Sequence, residues 1–423
     1  MNQENQQQPA VRRYKAFVSA AGTTQLHLRN PFVIAWWSAA FPGLGHLLLS
    51  KYLRGYILFI WEVIINMEAN INLAILYSFT GRFDMARDVL DKEWALLYIP
   101  TYLFAIWDSY RTACDVNHCY MLAQREDAEI KAFAISAFEF NYLDKRSPLA
   151  AGVWSLLMPG TGQLYIHRIP TSIFLLTWWI ATVYLTKLLP GVHYTLLGQF
   201  QQAKQVMDPH WLLNIPSIFF FSFYDAYANT VENNRLFEEE QSRFLKKEYQ
   251  NNSFKMPSKR QSERGDSMYV VSTFEHTKYL ELAITAVQMK GIAKENILAV
   301  SLDKRAEERK LFDSIHHSDG LSLLDLPLIL ATVFTLLGAI YGFVLEWGPL
   351  LWGLIGMAAG IVLGLAIKLV MTAKHMEGRQ KNRKATEVVV IIECKENQLE
   401  MVKDTLWQHF ALGVRKLDLE HNA

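Results

Sequence analysis

RNPFVIAWWSAAFPGLGHLLL, from Arg29 to Leu49, lies over RSPLAAGVWSLLMPGTGQLYI, from Arg146 to Ile166, when the chain is shifted along itself by 117 residues. The shift pairs Pro31 with Pro148, Trp37 with Trp154, Pro42-Gly43 with Pro159-Gly160, Gly45 with Gly162, and His46 with Gln163. It continues without a gap through Trp61 and Trp178, Gly81 and Gly198, Phe83 and Phe200, Asp91 and Asp208, and Trp94 and Trp211. It then brings Asp108-Ser109-Tyr110 onto Asp225-Ala226-Tyr227. Each unit reads as an apolar stretch, a Pro-Gly-x-Gly break, a long span, an amphipathic stretch and a short span ending in Asp-x-Tyr.

The break constrains topology. Proline removes a backbone donor and glycine favours leaving the helix. In lipid, a broken helix persists only where protein or water satisfies the freed backbone groups. The apolar residues before Pro42 and after Gly45 are too few to cross twice, so the unit opens with a kinked span or a re-entrant hairpin. Basic residues follow the break (Lys51, Arg54 and Arg168), and Arg12, Arg13, Lys15 and Arg29 precede the first one. A re-entrant element puts all of these, the 112–146 connector and the chain after 231 on the cytoplasmic side, and makes the repeats parallel. A kinked full span gives three crossings per unit and inverted repeats. The charges lean toward re-entry and leave both open.

Two further segments, Leu326 to Leu345 and Gly348 to Ile367, each run 20 residues without a charge. That length crosses a hydrocarbon core of about 30 Å. Only Glu346 and Trp347 separate them, which predicts a tight hairpin. Gly353, Gly356, Gly360 and Gly364 recur along one face, the spacing that lets membrane helices approach closely, within the hairpin or between subunits. Gly55 to Phe79 also predicts a span, with Thr171 to Leu189 as its later counterpart. Trp94–Trp107 and Trp211–Tyr224 are apolar for 14 residues each, and must continue past Asp108 and Asp225 to cross.

Of the 423 residues, 51% are hydrophobic and the formal net charge is +1, which suits a mixed membrane and soluble chain and argues against nucleic-acid binding. The polar, basic start predicts no removable signal peptide. Three cysteines do not make a disulfide framework and suit a reducing environment. After Asn229 the chain becomes highly charged, then passes through a polar linker with Pro257, Lys259, Arg260 and Gly265. MYVVSTF (268–274), a helix with Leu280, Ile284 and Val287 on one face, and ILAVSL (297–302) form one βαβ half. EVVVIIE (387–393), a helix marked by Leu399, Val402, Leu406 and Phe410, and VRKLDL (414–419) form the other. The basic run Lys374 to Lys384 fits a cytoplasmic location. The predicted fold is thus a polytopic α-helical membrane protein with tandem repeats and a small α+β ferredoxin-like domain split by a membrane hairpin. Its parts are a polar N-terminal segment (1–28), repeat one (29–145), repeat two (146–230), a charged helix and linker (231–266), the first βαβ half (267–320), the hairpin (324–373) and the second half (385–420).

The strongest chemical signal is Glu62, Asn66, Glu68, Asn70 and Asn72 inside a membrane segment, where ionisable residues are expensive and face polar interiors. Glu62 and Asn66 are one helical turn apart, as are Glu68 and Asn72. Their reading is an ion or proton pathway or a polar ligand pocket, set against plain interhelical hydrogen bonding. The second repeat has Trp179 in place of Glu62. Pro42, Gly43, Gly45, His46, Asp108 and Tyr110, with Pro159, Gly160, Gly162, Gln163, Asp225 and Tyr227, read as shared scaffold. The aspartates would accept bonds near the broken backbone or pair with Arg111 or another base. Cys114, Asp115, His118 and Cys119 lack a second Cys/His pair for a metal, and His316 and His317 are a weaker signal. No metal or cofactor is expected. With no phosphate loop, nucleophile elbow or metalloprotease motif, enzymatic activity is not expected.

Through Pro42 to His46 and then Lys51-Tyr52-Leu53-Arg54-Gly55, each repeat resembles the two-transmembrane-helix (TM-two) domain family, which pairs two membrane helices around a glycine-rich turn. Ser172 departs from that pattern at the position of Gly55. The C-terminal part is similar to general-stress-type membrane proteins, and the whole resembles uncharacterised membrane proteins of Gram-positive spore formers. The resemblance implies a multi-pass protein of the bacterial cytoplasmic membrane, and the basic residues predict that its N-terminus and βαβ domain are cytoplasmic. The partners so implied are the lipid bilayer, further copies of the chain and other membrane proteins. The function expected is an oligomeric assembly with an ion or small-solute path, or a non-conducting scaffold or regulatory subunit.

Overall fold

The computed structural model describes residues 12–137, 139–250, 254, 268–302, 324–373 and 387–417. Its elements in chain order are β1 (Ala16–Ser19), β2 (Gly22–Gln25), α1 (Pro31–Ala40), α2 (Leu44–Leu48), α3 (Tyr52–Ala69), α4 (Ile71–Phe79), α5 (Phe83–Val89) and α6 (Lys92–Glu126). Then come β3 (Phe133–Ile135), β4 (Phe140–Tyr142), α7 (Pro148–Leu157), α8 (Thr161–Tyr165), α9 (Ile169–Thr186), α10 (Leu188–Leu196), α11 (Phe200–Val206), α12 (Pro209–Leu212) and α13 (Ile215–Tyr249). The remainder is β5 (Met268–Phe274), α14 (Lys278–Met289), β6 (Ile297–Ser301), α15 (Asp325–Gly342), α16 (Gly348–Ala373), β7 (Val388–Cys394), α17 (Leu399–Gln408) and β8 (Gly413–Leu417). The described residues fall into two compact units. The first lies within Met1–Asn141, Ser147–Glu232 and Arg309–Glu377, and the second within Tyr142–Arg146, Asn233–Glu308 and Gly378–Ala423. The linker residues Pro257 to Gly265, the run Lys374 to Lys384, and His316 and His317 lie outside the described residues.

The 117-residue period extends to the backbone. Both bounds of each helix from α7 to α11 fall 117 residues after those of α1 to α5. Proline opens α1 and α7 at a position that needs no donor, and Asn30 and Ser147 cap them by accepting from the Phe32 and Ala150 amides. The chain then turns at Gly43 and Gly160, with left-handed φ values of 96° and 104°. A Cβ on Gly45 would collide with the Ile34 carbonyl and the Ser38 hydroxyl, and one on Gly162 with the Ala151 carbonyl and the Ser155 hydroxyl. Thus α2 and α8 fold back along the helices that precede them. At 1.5 Å per residue, the ten residues of α1 reach only about 15 Å.

Several expectations need correction. Gly55–Phe79 is not one helix: Asn70 takes a left-handed conformation (φ 55°, ψ 38°), and α3 and α4 meet at a 62° bend. Lys187 repeats that conformation between α9 and α10. Glu68 and Asn72 therefore sit on different helices rather than one turn apart. Trp211–Tyr224 is also interrupted, between α12 and α13, because Pro216 has no N–H for the Leu212 carbonyl. The charged stretch after Asn229 is helical, as expected, and is continuous with the rest of α13. Five residues, not two, link α15 and α16. The segment 1–28 and the 112–146 connector each carry a two-stranded sheet, β1–β2 and β3–β4, at nearly the same period.

Among the described residues, three helices are long and apolar enough to cross a membrane: Ile169–Thr186, Asp325–Gly342 and Gly348–Met371. The bent pair α3–α4 passes as a fourth. In the hairpin, a Cβ on Gly356, Gly360 or Gly364 would collide with the Phe334 carbonyl, the Leu330 carbonyl or Pro327, so these glycines set the close approach of α15 and α16. Gly353 is looser: a Cβ there would lie 3.8 Å from the Thr335 carbonyl. The core of the first unit joins the copies: Trp37 of α1 packs edge-on against Phe221 of α13 at 5.5 Å, with Phe59, Leu47 and Leu175 around it. Trp154, the counterpart of Trp37, is 51% exposed.

In the second unit four strands make one antiparallel sheet in the order β6-β7-β5-β8. Leu280, Ile284 and Val287 of α14, and Val402 and Leu406 of α17, cover Val270, Phe274, Val388, Val390 and Ile392, with Leu245 and Tyr249 of α13 closing the core. β7 begins and ends one residue later than its sequence pattern suggests, and β8 begins at Gly413; Asp418 and Leu419 lie outside the described residues.

Two outcomes follow. Gly43→Ala and Gly81→Ala both place a side chain at left-handed φ, costing about 1–2 kcal/mol each. Only the first also drives a Cβ into the Gly55 carbonyl and the Phe59 amide, so it should lower the melting temperature in mild detergent further than Gly81→Ala. Burial pushes the Cys394 thiol up from its usual range, aided by Glu393, while Cys119 is exposed. A maleimide at neutral pH should therefore label Cys119 well before Cys394, as read by peptide mass mapping.

Candidate functional site

Two buried polar assemblies dominate the first unit. The first is a pair of clasps built around the repeated aspartates. In copy one, Asp108 of α6 is 2% exposed and accepts from Arg54 Nη1 at 2.6 Å, while His46 Nε2 of α2 lies 3.0 Å away. Arg111 Nη2 reaches it at 3.4 Å. In copy two, Asp225 of α13 is fully buried and accepts from Gln163 Nε2 of α8 at 3.1 Å, Arg168 Nη2 at 3.2 Å and Asn229 Nδ2 at 2.8 Å. Each carboxylate ties the short folded-back helix to the long helix of its copy. Gln163 also donates to the Ser222 carbonyl at 2.8 Å, and the Ser222 hydroxyl accepts from the Gly160 amide at 3.1 Å.

The cations differ. Arg54 and Arg111 are half exposed, whereas the Arg168 side chain is 3% exposed. Arg168 also donates to Asn229 Oδ1 at 3.1 Å and to the Leu47 carbonyl of copy one at 3.4 Å. Arg29 of copy one donates to the same Asn229 oxygen at 3.3 Å, so the second clasp interlocks both copies. The segment before α1 is pinned by Asn117, which accepts from the Arg29 amide and donates to its carbonyl, both at 2.8 Å. Arg146 and Asn234 repeat this exchange at 2.8 and 2.7 Å.

The second assembly forms at the α3–α4 bend. Glu62 (5% exposed) accepts from Asn66 Nδ2 at 3.3 Å and from the Tyr98 hydroxyl at 3.4 Å. Asn66 also donates to Asn72 Oδ1 at 3.3 Å, and accepts from the Asn72 amide. Asn72 Nδ2 then donates to the His210 carbonyl at 2.7 Å and to Asn214 Oδ1 at 3.1 Å. The chain of polar atoms thus runs from α6 through the bend of copy one to the broken α12–α13 segment of copy two. Glu62 makes no ion pair among the described residues, and its hydrogen bonds are long.

Of the five residues expected there, Glu62, Asn66 and Asn72 come together. Asn70 is the hinge that lets Asn72 turn back toward Asn66, and Glu68 is exposed and outside the cluster. Tyr98, His210 and Asn214 join it from elsewhere. Among the scaffold residues, Tyr227 is buried and stacked on Phe223, whereas Tyr110 is 36% exposed and meets Phe32 edge-on, so the two tyrosines do not share one role. Cys114, Asp115, His118 and Cys119 all lie on α6. Among the described residues no three His, Cys, Asp or Glu side chains converge on a point that a metal would fill. No known protein family, curated protein or solved structure matches the chain.

The clasps make unequal demands. Asp225→Asn strands the buried Arg168 charge, for which breaking a buried pair costs about 3–5 kcal/mol. Asp108→Asn leaves two arginines that solvent reaches. Thermal unfolding in detergent should show a much larger drop for Asp225→Asn than for Asp108→Asn.

Proposed function

We propose that this chain is a multi-pass protein of the bacterial cytoplasmic membrane that handles protons or small monovalent cations at Glu62. The membrane reading is supported by the three apolar helices and the bent pair. It is supported equally by large apolar side chains left exposed on α3 (Ile57, Ile60, Ile64), α6 (Leu96, Ile99, Leu103) and α9 (Ile173, Ile180). Contiguous apolar surface on this scale is unusual on a protein bathed in water. The fold-back of α2 on α1 and of α8 on α7 supports re-entrant elements over kinked spans. The Pro-Gly-x-Gly turn leading into a span supports placing each copy beside the TM-two domains.

The observation that carries the reading is Glu62: a buried carboxyl in an apolar segment, without a counter-charge among the described residues, facing amides at two helix breaks. An isolated buried carboxylate is costly, so the site favours a neutralising proton or cation. Broken helices whose polar groups converge at membrane depth are the common construction of ion and substrate sites. In this reading the clasped repeats form the frame, and the site lies where copy two substitutes Trp179, Val183 and Leu189 for Glu62, Asn66 and Asn72. The strand order of the second unit, counted along the chain as second, third, first, fourth, supports a ferredoxin-like domain. Its role here is a cytoplasmic regulatory or oligomerisation unit.

A second reading, a non-conducting scaffold or regulatory subunit that self-associates, draws on the Asp225 clasp, whose carboxylate is fully buried and bonded to Gln163, Arg168 and Asn229. The two part in liposomes. Wild-type protein should dissipate a proton or monovalent-cation gradient, and Glu62→Gln should slow it about tenfold or more. Glu68→Gln, outside the cluster, should leave the rate unchanged. A wild type that moves none of these ions would remove the conducting role and leave the scaffold.

A further inference from the structure

Asp108 needs one positive partner and has two. Arg54 already contacts it at 2.6 Å, whereas Arg111 reaches it only at 3.4 Å. Both side chains are about half exposed, 49% and 54%. Each guanidinium carries five N–H groups, and these contacts occupy one on each. Copy two shows that the clasp does not require the pair. Thr171 and Ala228 stand where Arg54 and Arg111 would fall, and the buried Arg168 serves Asp225 instead.

The location of the spare donors is specific. Arg54 lies in the first turn of α3, between the exposed Leu53 and Ile57, and the exposed apolar side chains of α6 run from Leu96 to Trp107, with Tyr110 beside Arg111 and the next only at Met121 and Leu122. The Arg54–Asp108 bond brings these two helix positions together, so both guanidiniums stand at the same end of an apolar face. Arg111 lies over the Trp107 ring at 5.2 Å, which holds the guanidinium beside a half-exposed indole. Tryptophan next to arginine at the end of an apolar helix face is the side-chain set of the headgroup layer.

We propose that Arg54, Arg111 and Trp107 form a binding site for the phosphate of an anionic phospholipid, with Asp108 holding the two arginines in register from beneath. Two converging guanidiniums bind a phosphate through paired charge-assisted hydrogen bonds. Net positive charge remains after Asp108 is neutralised, which selects an anionic over a zwitterionic headgroup. The site does not depend on ion movement at Glu62.

The test is native mass spectrometry of the full-length protein in mild detergent, titrated separately with phosphatidylglycerol and phosphatidylcholine. Wild type should retain phosphatidylglycerol preferentially. Arg111→Gln keeps the short Arg54–Asp108 bond, so the fold is spared, and should lower phosphatidylglycerol affinity about tenfold with phosphatidylcholine unchanged. Arg111→Lys should fall between the two. Arg111→Gln binding phosphatidylglycerol as wild type does would overturn the proposal. Displacement of the lipid by millimolar inorganic phosphate would also overturn it, by assigning the site to a free anion.

Discussion

Everything in the first unit depends on a carboxylate buried against a helix that has been broken on purpose. Pro-Gly-x-Gly ends α1 and α7 after ten residues and turns the chain back, which frees backbone groups at the turn. A folded-back element of five residues has little contact area of its own. Asp108 and Asp225 supply the missing restraint from the long helices, through His46 and Gln163. In copy one the pair Asn117–Arg29 holds the entry to the same elements. The frame is thus fixed by a clasp in each copy and by a second point in copy one, and the helices that follow inherit their placement from it.

The copies share the frame and diverge in what the frame carries. Copy one places a carboxyl and two asparagines at its bend, and exposes two arginines at its clasp. Copy two fills the corresponding bend with apolar residues and buries a single arginine that also reaches back into copy one. Duplication of a clasped unit leaves the second set of positions free to change, and here the change runs in opposite directions at the two sites.

Much of this was legible in the chain and some was not, for physical reasons. The period showed because prolines, glycines and aspartates at turns and caps tolerate few replacements. The aspartates therefore stood out, as did His46, Gln163 and Arg111 beside them, but their nearest bases did not: Arg54 and Arg168 occupy non-equivalent positions, so a shift of the sequence never aligns them. The bend at Asn70 left no clear mark, since Lys187 adopts the same left-handed backbone in copy two and lysine carries no turn signal. The small sheets escaped because Lys15-Ala16-Phe17 matches Lys131-Ala132-Phe133 one residue short of the period. Asn214 and His210 entered the site through a helix break at Pro216 that the apolar run concealed.

The claim on which the rest stands is that the Pro-Gly-x-Gly elements enter and leave the membrane on one side. Single cysteines at Gln25 and Lys51, in a chain whose three native cysteines are replaced by serine, flank the first element. Labelling with a membrane-impermeant maleimide in oriented vesicles reports their sides directly. Both positions labelled from the same face is the result this account predicts; labelling from opposite faces would make the element a full span and contradict it.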